Sequence, residues 1–146
     1  MIEKKPDEYW MKKAYEEAQL AEKQDEVPVG AIVVYNEQII GRGHNLTESL
    51  NDVTAHAEMQ AITAASNTLG CKFLDDCTIY ITLEPCPMCA GALYWARPAK
   101  IVFGASDEKR GAGRFKNIYH PKTVIVTSIL EKECTEIIKS FFKKKR

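Results

Sequence analysis

The sequence predicts an α/β fold, a three-layer α/β/α sandwich around a mixed central sheet of about five strands. Apolar β-branched runs alternate along the chain with segments of helical periodicity. A helix-length segment separates the predicted strands at 78–83 and 100–104, which favours parallel order for that pair. No internal repeat, Gly/Ser-rich linker or shift in composition divides the 146 residues. Residues 1–146 are therefore expected to form a single domain.

The N-terminal half is expected to hold one helix, one hairpin and a second helix. Asp7 is expected to cap the first helix, and Pro28 and Gly30 interrupt the helical pattern before the hairpin. Gly70 is the stop signal of the second helix. The predicted elements are, in order, a helix at 7 to about 25, a strand at 31–35, a strand opening at 38–41, a polar loop at 45–52 and a helix at about 54–69.

The C-terminal half is expected to alternate strands and helices. Pro85 stands where a helix would begin, and Pro98 lies just beyond its expected end. The predicted elements are a strand at 78–83, a helix from 85 to about 96, a strand at 100–104, a loop at 104–113 with three glycines, a strand at 123–127 and a helix from 131 to about 143.

Composition and charge exclude several classes of protein. An apolar fraction of 45% excludes a disordered chain, and 20 basic residues cancel 20 acidic ones, so no global field attracts nucleic acid. The longest apolar stretches fall short of the roughly 18 residues that a membrane span needs. The first ten residues lack the apolar core of a secretion signal. These features predict a cytoplasmic protein with no membrane partner.

The cysteine pattern indicates metal binding rather than a disulfide framework. Five cysteines is an odd number in a chain without a secretion signal. Cys71, Cys77 and Cys134 stand apart and are expected to be small buried hydrophobic residues. Cys86 and Cys89, by contrast, form a C-x-x-C pair in the first turn of a predicted helix, where the helix dipole favours thiolates.

One histidine completes a candidate zinc site. His56, at the start of another predicted helix, adds a nitrogen to the two sulfurs of Cys86 and Cys89, a ligand set that suits zinc. The sequence offers no fourth ligand at convincing spacing, and three ligands with one open position are typical of catalytic zinc, which lowers the pKa of a bound water to about 7. Glu58, two residues from His56, is placed to move protons rather than to bind the metal.

Two other interpretations of the same residues stay open. A redox C-x-x-C would not need His56, Glu58 or Pro85 in this arrangement. A zinc-stabilised nucleic-acid-binding module would need a closed site with four protein ligands.

The pattern H-x-E followed by P-C-x-x-C resembles the signature of zinc nucleobase deaminases. Nearly the whole chain resembles bacterial tRNA-specific adenosine deaminases within that superfamily, and the resemblance implies a cytidine-deaminase-like fold and a homodimer. The shared stretches are VPVGA at 27–31, TAHAE at 54–58, TLEPC at 82–86, MCAGA at 88–92 and VFGA at 102–105.

The resemblance assigns roles to individual residues. It implies one Zn²⁺ per chain bound by His56, Cys86 and Cys89, with Glu58 as the general acid/base. The implied reaction is hydrolysis of adenosine to inosine by zinc-bound hydroxide, with release of ammonia, at the wobble position in the anticodon loop of an arginine tRNA. The residues implied to bind the substrate are Asn45, Ala57, Pro85, Asp107, Lys109, Phe141 and Phe142.

The substrate has an alternative. The YWARP stretch at 94–98, with Asn51, Asp52 and residues 74–77, resembles guanine deaminases of the same superfamily, and the segment 113–120 is shorter than in many bacterial tRNA enzymes. A deaminase of a free base or nucleoside, guanine first and then cytosine, is therefore the second hypothesis. The four cations at 143–146 are on their own typical of a solvated helix end, but a phosphate-binding tail would serve only an RNA substrate.

Overall fold

The structure is a computed structural model that describes residues 3–146; Met1 and Ile2, which open the segment without a secretion-signal core, lie outside the described residues. Its elements alternate as the sequence predicts. They are α1 (Asp7–Lys23), β1 (Gly30–Tyr35), β2 (Gln38–His44), α2 (Ala57–Leu69), β3 (Thr78–Leu83), α3 (Pro87–Ala96), β4 (Lys100–Ala105), a 3₁₀ turn (Ala112–Arg114), β5 (Val124–Val126) and α4 (Glu131–Lys144).

The five strands form one mixed sheet in the order β2-β1-β3-β4-β5. β1 runs antiparallel to both β2 and β3, whereas β4 runs parallel to β3 and β5. The predicted parallel order of β3 and β4 is confirmed. α3 makes the crossover that this order requires.

Alternate side chains along the strands build one apolar layer on each face of the sheet. One layer packs under α2 and α3 and the other under α1 and α4, which confirms the three-layer α/β/α sandwich. In the part of the chain that the structure describes, no helix is long and apolar enough to cross a membrane. The central-strand residues of the two layers are Val33, Ile79 and Ile101 on the first face and Ile32, Tyr80 and Val102 on the second.

The start of α1 corrects one prediction. Asp7 does not cap the helix, since Pro6 is the N-cap residue and no side chain caps it. The Asp7 carboxylate instead accepts hydrogen bonds from the Tyr80 hydroxyl at 2.8 Å and the Lys100 ammonium at 3.0 Å. Both partners belong to the sheet, and the carboxylate bonds to them instead of to the backbone N–H groups at the start of α1.

The two helices that carry the motifs begin later than predicted. α2 starts at Ala57 because the Asp52 carboxylate accepts hydrogen bonds from the backbone and hydroxyl of Thr54, which fixes a turn there. α3 starts at Pro87 rather than Pro85, and Cys86 is its N-cap residue. The residue before a proline is forced into extended backbone, so Pro87 keeps Cys86 outside the helix.

Smaller differences concern strand lengths and one cysteine. β2 continues to His44 because it pairs with β1 as far as Gly30. Of the three isolated cysteines, Cys77 and Cys134 are buried as predicted. The prediction for Cys71 is wrong, because this residue lies exposed in the turn after α2.

Four strand ends meet at one edge of the sheet. Gly30, at the start of β1, pairs with His44 at the end of β2, and Leu83, at the end of β3, pairs with Ala105 at the end of β4. Because β1 and β3 are neighbours with opposite directions, the start of β1 lies beside the end of β3. The loops that leave this edge therefore surround a common space.

Candidate active site

The N-termini of α2 and α3 are brought together at this edge of the sheet. A Cβ atom at Gly43 would lie 2.3 Å from the Ala57 carbonyl oxygen, so only glycine lets the first turn of α2 rest directly on β2. His56 is the N-cap residue of α2, and Cys86 is that of α3. Both helices thus direct their unpaired N–H groups and positive dipole ends toward the same region.

His56, Cys86 and Cys89 form a group whose ligand atoms all lie within 4.8 Å of one another. His56 Nδ1 is 3.6 Å from Cys86 Sγ and 3.4 Å from Cys89 Sγ. Tetrahedral zinc with ordinary bond lengths would place a nitrogen and a sulfur ligand about 3.6 Å apart. Both separations of His56 Nδ1 from a cysteine sulfur are therefore close to those of a tetrahedral zinc site.

The two cysteines are not equivalent. The hydrogen bond that the Cys89 thiol donates lowers the pKa of Cys86 to about 4, and burial opposes this shift. The same hydrogen bond, together with burial, raises the pKa of Cys89. Cys86 is therefore a thiolate at neutral pH, which is the form that binds a metal.

Glu58 lies beside this group but is not part of it. It is the second residue of α2 and its side chain is buried, with 4% of its surface exposed. Burial raises the pKa of Glu58 to about 7, against the hydrogen bond to its carboxyl and the attraction of His56. A carboxyl group with such a pKa can both accept and donate a proton near neutral pH.

Asn45 and Ala57, both predicted to contact the substrate, lie on the same side of this region. Asn45 follows β2 directly; its backbone N–H donates to Val29 O at 3.1 Å, and its side-chain oxygen accepts from Thr47 N at 3.2 Å. Ala57 is fully buried at the first position of α2, where helix geometry leaves the N–H without an intrahelical acceptor.

Three more residues that the resemblance assigns to the substrate are Pro85, Asp107 and Lys109. Polar groups of the first two already have hydrogen-bond partners within the protein. The Pro85 carbonyl accepts a hydrogen bond from Ala112 N at 2.8 Å. The Asp107 carboxylate accepts from the backbone N–H groups of Lys109 and Arg110, so it organises its own loop. The Lys109 side chain is exposed.

The two aromatic residues of the C-terminal helix differ in burial. Phe141 belongs to the buried set, whereas Phe142 is 43% exposed. The Lys145 ammonium lies 2.6 Å from the Asp25 carboxylate and holds the end of α4 against the turn after α1. A cleft of about 550 Å³ separates the tail from the loop that carries Asn45; it is lined by Gln24, Asp25, Val27, Thr47, Glu48, Ser49, Phe141, Phe142 and Lys145.

Sequence reasoning missed two acidic residues that hold the surrounding loops. Glu26 is fully buried and accepts hydrogen bonds from Glu48 and Ser49. Glu84 accepts hydrogen bonds from the backbone of Asp107 and Gly113. The one available signal was the position of Glu84 directly before the P-C-x-x-C motif, and no spacing rule relates either glutamate to its partners.

Comparison with known proteins places the chain among deaminases. The family described as MafB19-like deaminases matches residues 5–146. The tRNA-specific adenosine deaminase of Bacillus subtilis (strain 168) is 44% identical over 146 residues, which cover 96% of this chain and 91% of that protein.

Two solved structures are similar as well. One comes from a study of A-to-I editing by tRNA:A34 deaminases at the wobble position of transfer RNA; it has a TM-score of 0.82 and 39% identity over 88% of this chain and 98% of that chain. The other is a guanine deaminase from Bacillus subtilis, with a TM-score of 0.67 and 41% identity over 70% of this chain and 66% of that chain.

Proposed function

The chain belongs to the MafB19-like deaminases and, because its relatives match it over nearly their full length, to the tRNA-specific adenosine deaminases. We propose that it hydrolyses adenosine to inosine at the wobble position of tRNA and releases ammonia. The observation that carries this proposal is the convergence of His56, Cys86 and Cys89 at two helix N-termini, with the buried Glu58 beside them.

The proposal includes one zinc ion per chain. His56, Cys86 and Cys89 would hold it, since the distances from His56 Nδ1 to both sulfurs are close to the ligand separations of tetrahedral zinc. When bound, zinc lowers the pKa of a water molecule and so supplies the nucleophile for hydrolysis at neutral pH. The absence of a fourth cysteine or histidine from the group, among the described residues, leaves room for that water and weighs against a closed structural site.

The protein's own residues do the remaining work. Water would add across the C6–N1 bond of the adenine, with its oxygen bonded to C6 and one of its protons on N1. The remaining hydroxyl proton then moves to N6, the C6–N6 bond breaks, and ammonia leaves behind the C6 carbonyl of inosine. The Glu58 carboxylate would accept each of these protons from oxygen and deliver it, first to N1 and then to N6, which cannot leave as an anion. Asn45 and the Ala57 N–H would hydrogen-bond the purine and hold it in register with this carboxylate.

Features around the site favour an RNA over a free base. Phe142 offers an exposed aromatic face, and Lys143, Lys144 and Arg146 are exposed beside it. Exposed aromatic rings and cations along a cleft are the features by which proteins bind single-stranded RNA. The bases of an anticodon loop are already unstacked, so one of them can enter the site at low cost.

The proposal also names the tRNA, the cellular compartment and the oligomeric state. The substrate would be an arginine tRNA in the cytoplasm, and the protein would act as a homodimer. Val53 and Trp95 are large apolar side chains that are 83% and 75% exposed, and a dimer interface that included them would remove apolar surface from water. Sedimentation of the purified protein tests this part separately.

The experiment that tests the proposed function is a substrate panel with zinc-loaded protein. It offers an anticodon stem-loop with adenosine at the wobble position, and the same stem-loop with that adenosine moved one position along. Guanine, cytosine, adenosine and cytidine are offered separately. We expect inosine only in the first RNA, measured by mass spectrometry of digested nucleosides. Release of ammonia from guanine, with both RNAs unchanged, would establish the guanine hypothesis instead.

A further inference from the structure

The space around the candidate active site has two walls, each a loop that follows one strand of the sheet. We call residues 45–55, after β2, the first wall and residues 106–114, after β4, the second wall. β1 and β3 lie between β2 and β4 in the sheet, so the start of β1 and the end of β3 lie between the two walls. One glutamate stands near each of these two strand ends, Glu26 four residues before β1 and Glu84 directly after β3.

Glu26 holds the first wall. Its carboxylate is fully buried and accepts hydrogen bonds from Glu48 N at 3.0 Å, Ser49 N at 2.7 Å and the Ser49 hydroxyl at 2.6 Å. The base of the same loop is closed by a bond of 2.9 Å from Leu46 N to Ala55 O. Glu26 therefore fixes the outer part of the loop whose first residue is Asn45.

Glu84 holds the second wall in the same way. Its two carboxylate oxygens accept hydrogen bonds from Asp107 N at 2.9 Å and Gly113 N at 2.8 Å. The loop passes so close that a Cβ atom at Gly111 would lie 2.3 Å from the carboxyl carbon of Glu84, so glycine is needed there. Glu84 thus ties both ends of the loop that carries Lys109 to the segment leading into Cys86.

The chemistry of the contacts requires carboxylates. Each glutamate accepts hydrogen bonds from two backbone N–H groups of its wall, and an ionised carboxylate accepts through both oxygens. A glutamine has only one acceptor oxygen, and its amide hydrogens would face the second N–H. Hydrogen bonds to a charged acceptor are also stronger than those between neutral groups.

We propose that Glu26 and Glu84 are a pair of positioning residues that hold the two walls of the substrate site in place before RNA binds. The proposal rests on the proposed function for its effect on catalysis, but not for its effect on the loops. The first wall carries Asn45 and leads into His56, so its displacement disturbs the reacting base. The second wall carries the exposed Lys109, which the resemblance assigns to the substrate, so its displacement weakens the binding of flanking nucleotides.

Backbone amide exchange in the zinc-loaded full chain tests the loops directly. In Glu84→Gln we expect the amides of Asp107 and Gly113 to exchange at least about tenfold faster, while those of Glu48 and Ser49 are unchanged. In Glu26→Gln we expect the reverse pattern. Glu108→Gln, which removes the same charge from an exposed position of the second wall, is the matched control and should change neither set.

Kinetics on the anticodon stem-loop then test the consequence. We expect Glu84→Gln to raise KM by about tenfold and Glu26→Gln to lower kcat by about tenfold, with one zinc per chain in each. The proposal would be overturned if the four amides exchanged at the wild-type rate. It would also be overturned if amide exchange accelerated equally across the whole sheet. If exchange changes as expected but wild-type protein makes no inosine, the proposed function fails while the positioning role stands.

Discussion

The metal-ligand cluster and the two walls of the site differ in how short sequence motifs mark them. In each half of the cluster the residues are close in sequence, since His56 and Glu58 lie two residues apart and Cys86 and Cys89 lie three apart, and the fold joins the two halves across 30 to 33 positions. The walls are held by hydrogen bonds between residues 22 to 29 positions apart, and neither partner lies in such a motif. Short motifs therefore show which residues carry the chemistry, while the shape of the site depends on contacts to two glutamates that no motif marks.

The largest expected effect comes from removing a ligand of the cluster. Cys86→Ala should lose the zinc and all deaminase activity, because two ligands cannot hold the ion against solvent. Metal analysis and an inosine assay on the purified variant check this. Cys77→Ala is the matched control: this thiol is buried in the core, its pKa is raised to about 11 by burial, and its loss should leave one zinc per chain. Full zinc content in Cys86→Ala would mean that the ligands are misassigned.

A smaller effect is expected from the tail beyond the walls. Changing Lys143, Lys144 and Arg146 together to glutamine should weaken stem-loop binding and reduce the slope of log Kd against log salt by about 2, as expected for three lost phosphate contacts on a single strand. Substitution is preferable to truncation, because Phe141 is buried and its removal would disturb the core. A salt slope equal to that of wild type would make these cations a solvated helix end.

The smallest effect concerns the stability that one wall contributes. Hydrogen bonds from Ser49 and from the backbone of Glu48, and the charge of the nearby His44, outweigh burial and lower the pKa of Glu26 below its ordinary 4.5. A lowered pKa stabilises the fold fully above about pH 4.5, and this contribution is lost as pH falls through the folded-state value. Glu26→Gln should therefore reduce the free energy of unfolding by about 1–3 kcal/mol at pH 7.

Urea unfolding of wild type and Glu26→Gln at several pH values measures this difference. The gap between the two proteins should narrow as the pH falls below 4.5, where the wild-type carboxylate begins to take up its proton. A gap that stays constant from pH 7 to pH 3.5 would show that the charge of Glu26 has no part in holding the first wall.

The comparison also explains which features could be predicted from the sequence. β3 is found at the predicted residues because a β-branched run with flanking turns is a local signal, and the three ligands were predicted because each half of their motif, H-x-E and P-C-x-x-C, spans few residues. Asp7 was misjudged as a cap because its partners Tyr80 and Lys100 are distant in sequence. Glu26 was missed for the same reason: a buried carboxylate bound by a loop 22 residues away has no periodic signature.

Glu58→Gln tests the central claim, that this cluster carries out a deamination in which Glu58 moves the proton. The variant keeps the shape of the side chain but cannot act as a base. With one zinc per chain and stem-loop binding retained, its rate of inosine formation should fall by about a thousandfold relative to wild type. A rate within threefold of wild type, at full zinc content, would contradict the account.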